Sequence, residues 1–198
     1  MNYRKITEQI RNNSPLEAYI FLGLSYYNLG KEIYPNIDTL ADKLQVDRKA
    51  VLRALQAFQK NKMITITKKS FNGHIKNFYN ISDDNYKLID MQLLEEDIKR
   101  EVKGFLVKLY CCTFNNDNYL TYTNKELAEI LNLSVKRIEY YLSKCKDYIK
   151  IKKKGNKRII EFIRKDIFIE TRKSTIDMVK LIYPEILTDN DIYSRRIS

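Results

Sequence analysis

The chain has 198 residues, 44% of them hydrophobic and 31% charged, with a formal net charge of +11 and a pI near 9.4. That balance excludes a disordered chain and fits one large or two small folded domains, with a basic surface that suits a polyanion, of which nucleic acid is the commonest. Cys111, Cys112 and Cys145 form no disulfide framework, no signal-peptide core opens the chain, and no run approaches the ~18–20 apolar residues of a membrane span, so a reducing cytoplasm and no membrane partner are expected.

Along the chain, Ser14 as N-cap and Pro15 at the first helical position open an apolar, aromatic helix over 16–29. Leu40, Ala41 and Leu44 fall at helical spacing and bury one face of a short helix. Ala41 is small enough for a second helix to cross closely. Val46 is the apolar residue of a turn, and Asp47 caps a longer helix whose buried stripe is Val51, Ala54, Leu55 and Phe58. Two helices joined by so tight a turn predict a helix-turn-helix. Residues 63–67 alternate as a strand, 68–74 are a polar turn containing Gly73, and a second strand returns over 75–81. A β-hairpin is thus expected behind the second helix.

Residues 82–97 change character, with Asp83, Asp84, Asp90, Glu95 and Glu96, and predict an acidic linker. The unit then repeats. A leading helix is expected over 97–114. Leu127, Ala128, Leu131, Leu133, Ser134, Lys136, Ile138 and Leu142 match Leu40, Ala41, Leu44, Val46, Asp47, Lys49, Val51 and Leu55. Strands over 148–152 and 158–163 flank a turn that holds Gly155. A last helix is expected over 174–183, ended by Pro184. The expected architecture is mainly α with small β-hairpin wings (α+β): two tandem winged helix-turn-helix domains. Their boundaries are 1–82, an acidic linker at 83–96, 97–164, and a C-terminal helical tail at 165–198.

Ser14-Pro15-Leu16-Glu17-Ala18-Tyr19, then Tyr34-Pro35-Asn36-Ile37-Asp38-Thr39-Leu40-Ala41, Val51-Leu52-Arg53-Ala54-Leu55 and Lys62-Met63-Ile64, carry a likeness over roughly residues 14–81. That stretch resembles the winged-helix domains of phage and plasmid replication proteins and related phage regulators. The second unit is similar to winged helices only in general outline. The resemblance implies double-stranded DNA as partner, and a bacterial cell, or a phage or plasmid within one, as the source. A source rich in AT codons also fits the abundance of Lys, Ile, Asn and Tyr.

From Arg48 to Ser82 there is no Asp or Glu. Base composition of the source raises Lys but does not clear acids from one stretch. On the second helix, Arg48, Lys49, Leu52, Arg53 and Gln56 point away from the buried stripe. Arg and Gln suit bidentate contacts with guanine and adenine edges, and Leu52 suits a thymine methyl. Lys68, Lys69, His74 and Lys76 of the hairpin suit phosphates. In the second unit the candidates are Lys136, Arg137, Tyr140 and Lys144 on the helix, and Lys152, Lys153, Lys154, Lys157 and Arg158 on the wing. Glu139 intrudes there and repels phosphate unless it takes a cytosine amino group.

No catalytic centre is expected. One histidine cannot build a paired-histidine metal site, the cysteines lack zinc spacing, and no glycine-rich phosphate loop occurs. No cofactor is implied. Tyr140 and Tyr141 read as stacking or core residues rather than nucleophiles. Within DNA binding, a transcription regulator and a mobile-element replication initiator are equally compatible, and a homodimer or a replication or transcription protein is a possible further partner. The competing class is a protein–protein adaptor docking on a polymerase or structural partner. A single-strand or RNA binder, suggested by the 15 Tyr, ranks last because most of those rings fall on buried stripes or in strands.

Overall fold

Ser14 does open a helix, and it does so with a full capping box. Its hydroxyl accepts from the Glu17 amide at 3.2 Å while the Glu17 carboxylate accepts from the Ser14 amide at 2.7 Å. In the computed structural model, residues 2–28, 35–71, 73–82, 85–113, 118–154 and 157–169 are described. They form a mixed α+β fold with six α-helices and three small antiparallel sheets. In chain order these are β1 (Tyr3–Thr7), a 3-10 turn at Glu8–Asn12, α1 (Pro15–Tyr26), α2 (Ile37–Leu44), α3 (Arg48–Lys60), β2 (Ile64–Phe71) and β3 (His74–Ile81). Then follow β4 (Tyr86–Asp90), a 3-10 turn at Met91–Leu94, α4 (Arg100–Tyr110), β5 (Tyr119–Leu120), α5 (Asn124–Ile130), α6 (Val135–Lys144), β6 (Ile149–Lys154) and β7 (Lys157–Phe162).

The two helical pairs have matching turns. Gln45 and Asn132, at equivalent places after α2 and α5, both adopt the left-handed conformation, with φ of 54° and 50°. The next amide then folds back in each: Val46 N–H donates to Ala41 O at 3.0 Å, and Leu133 N–H to Ala128 O at 2.9 Å. The hairpins run longer than the alternation predicts. Lys68 and Lys69, expected in a turn, pair within β2, and the strands close on Gly73, whose φ of +77° is one that L side chains rarely adopt. Lys153 and Lys154 likewise belong to β6, and Lys157 to β7.

The acidic stretch at 83–96 is not an open connector. Its residues 86–90 are β4, paired antiparallel with β1, a strand the sequence reading missed. Leu88, Ile89 and Leu93 are fully buried. Asp90, read as a linker acid, is buried as a cap: its carboxylate accepts from the Gln92 amide at 2.8 Å and the Asn2 amide at 2.7 Å. Glu96 accepts from the Tyr148 hydroxyl at 2.7 Å and from Arg164 at 3.0 Å. These acids stabilise the junction instead of solvating it.

β1 and β4 belong to a second repeat. Tyr3-Arg4-Lys5-Ile6-Thr7-Glu8-Gln9-Ile10 matches Tyr86-Lys87-Leu88-Ile89-Asp90-Met91-Gln92-Leu93 at a constant spacing of 83 residues (3 to 86, 10 to 93). Thr7 caps its 3-10 turn as Asp90 caps the other, each accepting from the glutamine amide two residues on.

α1 and α4 cross in close contact at the centre. Gly104 makes this possible: a Cβ there would lie 1.7 Å from the Pro15 carbonyl oxygen. One continuous hydrophobic cluster runs through both units, including Phe21, Phe58, Phe105 and Phe162. The chain then returns to β4. Ile167 O accepts from the Asp90 amide at 2.8 Å, and Phe168 is buried against Tyr110 and Phe162. The helix expected over 174–183 lies outside the described residues.

Candidate nucleic-acid interface

α3 owes its orientation to its own stripe. Val51, Ala54, Leu55 and Phe58 are buried, and Phe58 meets Phe21 of α1 edge-on, with ring centroids 5.1 Å apart. Asp47 caps the first turn, its carboxylate accepting from the Lys49 amide at 2.7 Å. The opposite side therefore faces solvent: Arg48, Lys49, Arg53 and Gln56 are exposed and Leu52 is half-buried. All five fall where the periodicity puts them. One feature of this face escaped the sequence: Arg48 Nε donates to Asp38 of α2 at 2.7 Å. Both side chains are more than half exposed, so water screens that pair and it holds the guanidinium weakly.

Lys68, Lys69 and His74 are exposed on the first hairpin and Lys76 is half-buried. Lys69 stands directly across from Lys76, with its ammonium 5.3 Å from the Phe78 ring centroid. Like charges placed directly opposite each other disfavour the pairing of the two strands. Ile75 is 77% exposed at the tip. Alternation groups it with Tyr79, which is buried, but the hairpin outruns the core and leaves Ile75 in water. Only the observed length of the hairpin gives this away.

α6 repeats the pattern with different residues. Ser134 caps it, accepting from the Arg137 amide at 3.3 Å, and Ile138, Tyr141 and Leu142 are buried. Tyr141 stacks on Phe105 at 4.8 Å, as a core ring. Lys136, Arg137, Glu139, Tyr140, Ser143 and Lys144 are exposed. Glu139 is engaged by its own unit: Asn124 Nδ2 donates to it at 3.3 Å, while Arg158 Nη1 donates to Asn124 Oδ1 at 2.6 Å.

That chain of contacts draws Arg158 inward. It is half-buried, with Nε and Nη2 buried and unpaired, and burial lowers its pKa. It therefore differs from the exposed phosphate contact the sequence suggests. Lys152 is exposed but ion-paired with Glu161, which the sequence reading did not consider. Lys153 is exposed and stands opposite Arg158. Lys154 stands opposite Lys157; their side chains lie outside the described residues.

Elsewhere, the three thiols are free and buried, and burial raises Cys112 and Cys145 to about 12, which keeps them protonated. Lys108 is fully buried in the core; its ammonium donates to Asn13 O and, at 2.8 Å, to Leu131 O, and burial lowers its pKa to about 8. Among the described residues no group of His, Cys, Asp and Glu could hold a metal ion, and no helix is long and apolar enough to cross a membrane. No protein-family model matches the chain, and no curated protein matches it.

Proposed function

We propose that this chain is a sequence-specific binder of double-stranded DNA that uses two tandem winged helix-turn-helix units and carries no catalytic centre of its own. The observation that carries the reading is α3: a helix fixed by a buried apolar stripe, with Arg48, Lys49, Arg53 and Gln56 exposed on its other side. It opens a stretch of 35 residues, 48 to 82, without an acid. An exposed helix with arginine and glutamine suits the major groove, and the lysine-bearing hairpin behind it suits the flanking phosphates. On this reading the protein works in the cytoplasm as a transcription regulator or a mobile-element replication initiator. Footprinting upstream of its own gene separates these roles: a single promoter site marks the regulator and an array of repeated sites the initiator.

The test is fluorescence anisotropy with a random-sequence duplex at about 50 mM salt, where a basic DNA binder holds even non-specific DNA. The wild type binds, and Arg48→Glu, Lys49→Glu, Arg53→Glu together weaken binding by about a hundredfold or more. Unchanged affinity in that variant removes α3 from the interface.

A protein–protein adaptor is the second reading. Unit two favours it, because Tyr140 and Ile151 are exposed near Glu139, a surface less purely cationic than that of α3. Under it, Arg53→Ala weakens capture of a protein partner and leaves DNA affinity unchanged.

A further inference from the structure

The β1–β4 ladder is symmetric about its own centre. Tyr3 pairs with Asp90, Lys5 with Leu88, and Thr7 with Tyr86. At the spacing of 83 residues, Asp90 is the repeat of Thr7 and Tyr86 the repeat of Tyr3, so each residue faces the copy of its mirror position. Lys5 faces its own copy, Leu88. The flanking bonds obey the same rule. Glu8 N–H donates to Asn85 O at 2.8 Å, and Met91 N–H, its copy, donates to Asn2 O at 3.0 Å. An antiparallel pair of equivalent strands in that register has a two-fold axis through the central pair. This is the isologous contact of a symmetric dimer, here within one chain.

The relation extends outward. α1 and α4, which follow the two strands, pack on each other, and each helix-turn-helix packs on the leading helix of its own unit. The same carbonyl is capped from that helix in both: Leu44 O by the Tyr19 hydroxyl at 3.4 Å, and Leu131 O by the Lys108 ammonium at 2.8 Å. At this helix-turn-helix the repeat spacing is 87 residues (44 to 131, 45 to 132), the difference being taken up between strand and helix.

We infer that one copy of this chain reads two DNA half-sites related by a two-fold axis, not a direct repeat, and that the half-sites differ in sequence. The inference rests on the DNA-binding reading above. A duplex has two-fold axes perpendicular to its own, so a two-fold reader matches half-sites of opposite orientation. In ordinary dimers the two half-sites are alike because the two reading helices are identical. Here they are not: at the matched spacing Leu52, Arg53 and Gln56 of α3 become Glu139, Tyr140 and Ser143 of α6. The N-terminal half-site should contain guanine and adenine contacts from Arg53 and Gln56, and the C-terminal one should lack them. The target thus has the geometry of a palindrome without its sequence.

The test is site selection from a random duplex library with the full chain, repeated with two grafted variants. One carries Glu139→Leu, Tyr140→Arg and Ser143→Gln, which gives α6 the Leu52, Arg53 and Gln56 set of α3. The other carries Leu52→Glu, Arg53→Tyr and Gln56→Ser, the reverse exchange. All six positions are exposed or half-buried, and thermal melting verifies the fold. The wild type selects two unlike arms; each graft converts its site to two like arms in opposite orientation, and inverting one arm lowers affinity by about tenfold or more. Like arms in the same orientation overturn the two-fold inference and leave DNA binding standing. A single selected arm, unaffected by the α6 graft, also overturns it. Failure of all three proteins to bind any duplex contradicts the DNA-binding reading itself.

Discussion

The two units share capped helices, left-handed turns between paired helices and a following hairpin, yet they dispose of their charges differently. The first leaves Arg48, Lys49 and Arg53 on an exposed face, where Arg48 pairs with Asp38 of α2. The second ties Arg158 to Asn124, which in turn donates to Glu139, pairs Lys152 with Glu161, and buries Lys108 in the core. A shared backbone plan therefore does not imply a shared surface. Positions that pack are kept alike, because burial constrains size and polarity, whereas solvent-facing positions diverge with the partner. The divergence leaves the first unit with the more openly cationic helix face and the second with more of its polar groups engaged internally.

The place where the units meet offers the largest expected effect. Gly104→Ala puts a methyl into the Pro15 carbonyl, so α1 and α4 must separate. A loss of about 3 kcal/mol or more in unfolding free energy is expected by denaturant titration. Gly73→Ala, at an open hairpin tip with φ of +77°, strains only the turn and should lose about 1 kcal/mol. Equal losses at the two glycines would mean that the α1–α4 crossing is not a rigid junction.

Charge reversal on the exposed faces of α3 and α6 comes next. Lys136→Glu with Arg137→Glu should weaken random-duplex binding by about tenfold, well short of the effect of reversing Arg48, Lys49 and Arg53. A larger loss from α6 than from α3 inverts the comparison.

Lys108 sharpens it from the core. Burial lowers its pKa to about 8 in the folded chain against an ordinary 10.5. Between those values the unfolded chain holds a proton that the folded chain has released, so the contribution of Lys108 to stability rises with pH across the window. From about pH 9 the total is opposed by Cys112 and Cys145, and above pH 10 by phenols such as Tyr3, all of which burial raises to about 12, and the comparison with a variant at Lys108 cancels these shared effects. Chemical denaturation of the wild type and Lys108→Met from pH 7.5 to 10 should show the wild type gaining relative to the variant. Parallel pH profiles would mean that Lys108 keeps its proton when folded.

The smallest expected effect is at Asp38→Ala. Losing an exposed ion pair should change stability by less than about 1 kcal/mol. Freeing Arg48 and removing a negative charge beside α3 should tighten duplex binding by about twofold to threefold, measured by anisotropy. Weaker binding would show that Asp38 holds Arg48 in its working geometry.

Helices with apolar stripes and caps were legible in the sequence, and so were the exposed residues of α3, because a period of 3.6 separates buried from solvent-facing positions. The β1–β4 repeat was not. Its strands are five residues long and carry Arg4, Lys5 and Lys87, two of which are buried, so no clean alternation marks them. The repeat spacing also shifts from 83 to 87 between strand and helix, which hides the strands from an alignment anchored on α2. Asp90 and Glu96 read as linker acids because a buried cap and a half-buried ion pair are tertiary facts. The same holds for Arg158, whose inward turn depends on Asn124 across the unit, and for Lys108, which the helical period alone cannot distinguish from a surface lysine.

The most direct test is the salt dependence of wild-type binding to a duplex. If the exposed cations of α3 and the hairpins meet phosphates, the logarithm of the affinity should fall linearly with the logarithm of salt concentration. For about five neutralised phosphates the slope is about −4 or steeper. Replacing Arg48, Lys49 and Arg53 with alanine should make it shallower by about 2. A duplex affinity that does not change with salt, or no binding at about 50 mM salt, would contradict the account.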